Sequence, residues 1–317
     1  MGSLPRGISA SRGAAVLGLS AWTSPVEIWL QIMEERKPGF CKGNGFEEPA
    51  PIEGAPLRWG LAFEGAIIYR AEIGANLKID PDSYEKFFSH PDHDFITCHV
   101  DGLYEDGKTI HEGKTTSSFY FRDNFGEPGS DRVPKSYQIQ VQHQMMTAGR
   151  PDSILSVLVF PDRVDSYEEA GLELDMVDPM IWSSVLVQMN HFHQYGIEAD
   201  PDLQKMMIEA YLDFWEVHVL GETPPEPEKY SDVVKLVTDP QGTIVADEFI
   251  ESLASEYHTI NAESRSINKR KDQLKTKLVD YMRKNAEKSI EEDSVEKWIL
   301  RDRTGKKLHQ FDGKRFR

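Results

Sequence analysis

Two cysteines in 317 residues, Cys41 and Cys98, cannot build a disulfide framework or supply the ligands of a four-thiolate cluster. No apolar run approaches the roughly 18 residues of a membrane span. The opening MGSLPRGISASRGAAVLG lacks the long apolar segment of a secretory signal, so a reducing, cytoplasmic setting is expected. Positive charge is also scarce: 36 Lys and Arg stand against 53 Asp and Glu, a net of −17. That balance disfavours non-specific coating of nucleic acid. It does not exclude a nuclease, whose metal sites need carboxylates and whose phosphate contacts can be confined to one groove.

What is present is enough for a core, with hydrophobic residues at 39%. Charge is unevenly spread. Residues 260–317 carry 17 Lys and Arg against 10 Asp and Glu, a net of +7, whereas residues 1–259 carry −24. Three regions follow: a core over 1–225, a proline-rich linker over 226–244, and a basic extension over 245–317. In the extension, Ile250, Leu253, Tyr257, Ile260, Ser264, Ile267, Lys271, Leu274, Leu278 and Tyr281 fall at alternating spacings of three and four. That is a heptad seam with polar breaks at Ser264 and Lys271. It fits either packing on the chain's own body or self-association. Residues 295–311 predict a basic hairpin turning at Thr304-Gly305.

In the core, helices are predicted at 25–37, 57–74, 135–149, 178–195 and 200–219 from apolar spacing and proline starts. Strands are predicted at 95–104, 108–116, 153–160 and near 171–177, with an irregular loop over 117–134. The Asp-Gly in EDGK is a hairpin signal between the first two strands.

The stretch HVDGLYEDGKTIHEGKTT crowds carboxylates around one lysine. In a strand, positions i and i+2 share a face, so Glu112 and Lys114 project together while His111 and Gly113 point away. A hairpin brings Asp101 beside Glu112. Two carboxylates so placed raise one another's pKa unless a cation holds them, and hard oxygens suit Mg²⁺ or Mn²⁺. The Gly113 carbonyl offers a further ligand, and Lys114 can position a water or balance charge. A solvated surface hairpin is the plain alternative. Glu64 falls on the line Leu57, Leu61, Ile68 and Ala71, read as a buried helix face; it calls for either a cation or an arginine such as Arg58 or Arg70. Gln140 lies in YQIQVQHQMM, where an inward glutamine could hold a metal-bound water or a phosphate oxygen. At the N-terminus, Ser9 and Ser11 with Arg6 and Arg12 precede a small-residue helix, read as an ordinary cap or an anion site.

The order RGISAS, LRWGLAFEGA, VDGL, EGK and VPKSYQIQVQHQMM, followed by a core strand, resembles the YqaJ-like viral recombinase family over residues 6–220. That family contains lambda exonuclease and belongs to the PD-(D/E)-x-K nucleases. The resemblance implies an α/β fold with a central mixed sheet flanked by helices, and 5′→3′ exonuclease action on double-stranded DNA with Mg²⁺. It further implies a ring of three or four subunits and transfer of the 3′ strand to a single-strand annealing protein. It assigns Asp101, Glu112 and Glu64 to the metal carboxylates, with Gly113 lending its carbonyl. Lys114 and Gln140 are assigned to catalysis, and Ser11 to the 5′ phosphate with Arg12 or Arg6 and Ser9 nearby. Val100 stands where the motif has proline, and Gly113 replaces an apolar residue. A structure-specific endonuclease and an inactive DNA-end-binding module are the alternatives.

Overall fold

A computed structural model of the chain describes residues 7–51, 53–237, 244–285, 298–301, 303–304 and 306–311. It divides into two compact units, 1–240 and 241–317. In the first unit a mixed α/β arrangement is built on two sheets. The smaller has the order β1-β3-β2, from β1 (Ile8–Ser9), β2 (Lys86–Ser89) and β3 (Ile96–Val100). The larger has the order β4-β5-β6-β7, from β4 (Gly102–Leu103), β5 (Thr109–Ser117), β6 (Asp152–Phe160) and β7 (Phe192–Glu198). β5 and β6 run parallel in unbroken register from Thr109↔Asp152 to Ser117↔Phe160, while β4 and β7 are antiparallel to their neighbours. Central β6 is buried on both faces through Leu155, Val157, Leu158, Val159 and Phe160, as a parallel-paired strand requires.

The helices have readable start and stop signals. In α2 (Pro25–Arg36), Ser24 and Glu27 form a capping box and proline opens the first turn. α4 (Ala55–Ala75) also opens on proline and ends at Asn76 in the left-handed region. α6 (Lys135–Ala148) ends at Gly149 with φ 63°. α1 (Ala10–Val16) packs on α6 and β3, and α3 (Phe40–Gly43) lies against α2. α4 covers one face of the larger sheet. There Trp59, Phe63 and Phe160 form an aromatic cluster, with Trp59 stacked on Phe63 at 5.9 Å and edge-on to Phe160 at 5.6 Å. α7 (Val164–Glu169) and α8 (Pro179–Gln188) close over that cluster. α9 (Pro201–Asp213) continues into a π-helical turn, Phe214–Leu220.

Several elements differ from the sequence expectations. The 95–104 strand is broken at Asp101: β3 belongs to one sheet and β4 to the other. Residues 118–124, expected as loop, form α5 (Ser118–Asn124), capped by Ser117. The strand expected near 171–177 is instead a 3-10 turn, Leu174–Met176. The helix expected over 178–195 ends at Gln188, and its last four residues open strand β7. There His193, Tyr195 and Ile197 alternate inward against β6, a period of two that the preceding apolar run obscures.

The proline-rich segment contains α10 (Tyr230–Leu236). Its buried Asp232 accepts a hydrogen bond from Ser24 Oγ at 2.7 Å, and Lys229 and Lys235 reach Glu27 of α2. In the second unit, α11 (Glu248–Lys284) runs 37 residues, opened by Asp247 as N-cap. β8 (Trp298–Arg301) and β9 (Lys307–Phe311) pair antiparallel as the expected hairpin, with Gly305 of its turn outside the described residues. Among the described residues no helix is long and apolar enough to cross a membrane.

Candidate active site

Asp101 occupies the residue between the two sheets. β4–β5 pairing ends at Gly102↔His111, and one step earlier a side chain takes over from the backbone ladder: Asp101 Oδ2 accepts the Gly113 N–H at 2.7 Å. Alternation along β5 then separates its side chains. A Cβ on Gly113 would meet Ile67 of α4 at 3.1 Å, so positions 111 and 113 face α4. Glu112 and Lys114 face α6.

Glu112 is almost completely buried and its carboxylate collects three donors. Lys114 Nζ and Gln140 Nε2 both reach Oε1, at 2.6 and 2.5 Å, and Gln144 Nε2 reaches Oε2 at 2.6 Å. Lys114 Nζ also lies 5.6 Å from the centre of the Tyr137 ring. Sequence reasoning chose Gln140 and missed Gln144. The signal was available: Tyr137, Gln140 and Gln144 at i, i+3 and i+7 share one helix face. The flanking glutamine, Gln142, turns elsewhere and bonds the Glu198 carbonyl and the Asp200 N–H.

Glu64 reaches the same site by a different face than expected. The buried stripe of α4 is Trp59, Phe63, Ala66, Ile67 and Ala71, whereas Leu57 and Leu61 are 44% and 62% exposed. Leu57, Leu61 and Glu64 do share a line, but that line borders a cleft of about 580 Å³. Asp101, His111, Gly113 and Lys114 line the cleft from the strand side. The arginines considered as partners are used elsewhere: Arg58 bonds Glu168, and Arg70 bonds Ser183 and Ser184. Among the described residues Glu64 has no hydrogen-bond or ion-pair partner.

The electrostatics are those of crowded acids. Burial, then the Glu112 charge, pushes the Asp101 carboxyl up to about 7. Burial and the charges of Glu85 and Glu112 raise Glu64. Burial opposes the charged form of Lys114, but Glu112 and Asp101 outweigh it and hold the ammonium charged. Burial lowers His111 to about 4, so it is neutral, and neither ring nitrogen has a partner among the described residues.

This donor set fits a small hard cation. It is all oxygen at the strand edge, and more negative than Lys114 alone balances. Asp101 keeps Oδ1 free of the Gly113 bond. Glu112 Oε2 accepts one side-chain bond and retains a lone pair. Among the described residues no three Asp, Glu, His or Cys side chains form a ready cage. Mg²⁺ rarely has one: it is bound through one or two carboxylates, with water and substrate phosphate completing the shell. Asp101, Glu112 and the Gly113 carbonyl are the residues that would hold it, with Glu64 bordering them.

The N-terminal candidates form a separate group. Ser9 caps α1 without a side-chain cap bond, and its Oγ lies 3.1 Å from Ser11 Oγ. Arg12 is already engaged: it donates to the Gly7 carbonyl at 3.1 Å and forms a two-pronged ion pair with Glu35. Arg6 lies outside the described residues.

The mixed α/β fold is the one implied by the resemblance, and comparison with known proteins returns a model of the same family. Residues 5–151 match the model of the YqaJ-like viral recombinase domain. A curated relative, the uncharacterised protein YqaJ of Bacillus subtilis strain 168, is 28% identical over 220 residues, 69% of this chain and 56% of that protein. The match therefore spans little more than half of that relative's length. Two solved structures are similar. The alkaline exonuclease LHK-Exo from Laribacter hongkongensis has 17% identity and a TM-score of 0.46, covering 69% of this chain and 94% of that one. A phage-related exonuclease from Haemophilus somnus 129PT has 13% identity and a TM-score of 0.45, covering 68% and 96%.

Proposed function

We propose that this chain is a divalent-metal-dependent nuclease that degrades double-stranded DNA from its 5′ ends, leaving 3′ single strands for an annealing protein. The observation that carries this reading is the meeting of Asp101 and Lys114 at a cleft that also holds Glu64, with the buried Glu112 carboxylate bonded to Lys114. The match to a YqaJ-like viral recombinase domain supports it.

When bound, Mg²⁺ or Mn²⁺ would supply Lewis-acid polarisation of the phosphate and ease deprotonation of the attacking water. The chain's own groups do the positioning. Gln140, Gln144 and Lys114 fix the Glu112 carboxylate in one orientation, so no reorganisation is needed when phosphate arrives. Lys114, held charged, is placed to orient a water or to balance negative charge that grows on phosphate oxygens. The Gly113 N–H fixes Asp101, and the exposed Leu57 and Leu61 give the cleft an apolar wall against which a sugar or base could lie. Ser9 and Ser11 keep the 5′-phosphate role that the resemblance assigns; Arg12 would join them only by leaving Glu35.

Digestion of linear duplex DNA labelled at either end, with Mg²⁺, with Mn²⁺ and with chelator, beside closed circular DNA, tests this reading. Metal-dependent release of nucleotides from 5′ ends with the circle spared is expected. Cleavage of the circle would instead indicate an endonuclease, and no cleavage with either metal an end-binding module.

A further inference from the structure

The long helix of the second unit carries an apolar seam that faces solvent. Leu253, Ile260, Ile267 and Leu274 are 45%, 54%, 66% and 45% exposed, and Ile250, Tyr257 and Tyr281 are likewise exposed. Thirty-seven residues at 1.5 Å per residue give a rod of about 55 Å. A periodic pattern of that length points to helix pairing more than to a surface helix. A single strand with this seam uncovered forgoes the packing that holds most protein helices together.

The charges along the rod say what covers it. From 248 to 265 the helix carries four Glu and one Arg. From 266 to 284 it carries seven Lys and Arg against two Asp. A second copy running antiparallel lays each acidic half on a basic half. The register follows from the seam. With Ile250, Tyr257, Ser264, Lys271 and Leu278 at the a positions, and Leu253, Ile260, Ile267, Leu274 and Tyr281 at d, the antiparallel layers are a to d. Centring the overlap sets Leu278 against Leu253 of the second copy, Ser264 against Ile267, and Lys271 against Ile260. Every seam residue is then matched, and Lys271 meets an aliphatic side chain while its stem extends toward solvent.

The same register sets Glu256 beside Lys277 and Glu263 beside Arg270, each twice in the symmetric pair. A parallel pair would place Lys271 on Lys271 and Arg270 near Lys275, and would leave both glutamates facing asparagines, Asn261 and Asn268. Charge complementarity therefore selects one arrangement. We propose that α11 is a self-association arm, and that two copies of this chain join through it as an antiparallel helix pair.

The test uses the full chain. Sedimentation across a dilution series reads the mass of the wild type against Ile260→Asp combined with Ile267→Asp. A fall in mass to half or less at the same concentration is expected. Unchanged mass would overturn the arm, and unchanged mass with lost DNA retention would reassign the seam to DNA. Orientation is read separately. Glu256→Lys with Glu263→Lys should weaken association at least tenfold, and adding Arg270→Glu with Lys277→Glu should restore it to within about threefold. No weakening by the first pair would overturn the antiparallel register.

A cross-link gives an independent reading, because Cys41 and Cys98 are buried. Asn261→Cys and Asn268→Cys chains, co-expressed with different tags, should give the mixed 261–268 product with a short bismaleimide. Self-linked products without the mixed one would exclude the antiparallel pair.

Discussion

The Asp101 carboxylate holds the Gly113 N–H at 2.7 Å, and so ties the junction between two sheets to the strand that carries Glu112 and Lys114. Gly113 is the hinge of that tie. A methyl group there would meet Ile67 Cγ2 at 3.1 Å, Asp101 Oδ2 at 3.5 Å and His111 Nε2 at 3.6 Å. Gly113→Ala should fold with a small shift of Ile67. Gly113→Leu, which restores the apolar residue usual in the resembled motif, should cost about 1–3 kcal/mol by overpacking against α4. Denaturant melts of the two variants check this order; equal stability would mean that the α4 side is loosely packed.

Gln144 was passed over in favour of Gln140, yet it is the only side chain among the described residues that donates to Glu112 Oε2. Gln144→Leu should lower nuclease activity roughly 10- to 100-fold, the range for outer-shell partners of metal sites, and raise the metal concentration needed for half-maximal activity. Gln142→Leu, on another face of the same helix, should leave the metal requirement unchanged. Metal titrations of cleavage compare the two.

Lys114→Met removes the ammonium but keeps most of the apolar stem. Cleavage should fall at least about 100-fold if Lys114 serves as a charge-balancing group in the transition state. The circular dichroism spectrum should be preserved. Near-normal turnover would remove Lys114 from the proposed chemistry.

His143 gives a pH signature unrelated to the cleft. It is fully buried, with Nε2 2.9 Å from the Thr97 carbonyl and Nδ1 3.4 Å from Tyr211 Oη. Burial lowers its pKa to about 4, against the Thr97 bond, which acts to raise it. The folded value lies below the ordinary 6.5, so between 6.5 and 4 the unfolded chain binds the extra proton. Its contribution is complete above 6.5 and is lost as pH falls through that window, on the order of 3 kcal/mol in all. Stability curves of wild type and His143→Asn should converge at low pH, and parallel curves would exclude His143 as the source.

Asp232 anchors α10 from a fully buried position, accepting Ser24 Oγ at 2.7 Å and the N–H groups of Glu228 and Lys229 at 3.1 and 3.3 Å. Asp232→Ala strands those donors, at roughly 1–3 kcal/mol each for those that stay buried. Limited proteolysis should then cut between 222 and 240 at least ten times faster, with the rest of the first unit intact.

The site was more legible than the frame around it. Glu112 and Lys114 could be paired from strand alternation, and Gln140 from its motif, because period two and a short sequence separation leave little freedom. Asp101 was found as a residue, but its position was misread. A Val-Asp-Gly-Leu run looks like continuous strand, and only tertiary pairing shows that the chain changes sheets there. Glu64 was found for a partly wrong reason. Leu57 and Leu61 at helical spacing signal an apolar face, but spacing does not tell a core from a cleft wall. The larger Trp59 and Phe63, two positions on, took the core. β7 was lost because Met180 to Val187 supplies a strong helical run just upstream, and its alternation begins only at Phe192.

The parallel register that sets Glu112 opposite Leu155 has a consequence in time. The two strands are joined through α5 and α6, so β5 cannot be fixed in place until some forty residues beyond it are available. Ile8 in turn waits for Ile96. During synthesis, then, the acidic edge stays unassembled until β6 has left the ribosome, and a nascent chain stopped before residue 152 carries every strand residue of the site without the site itself.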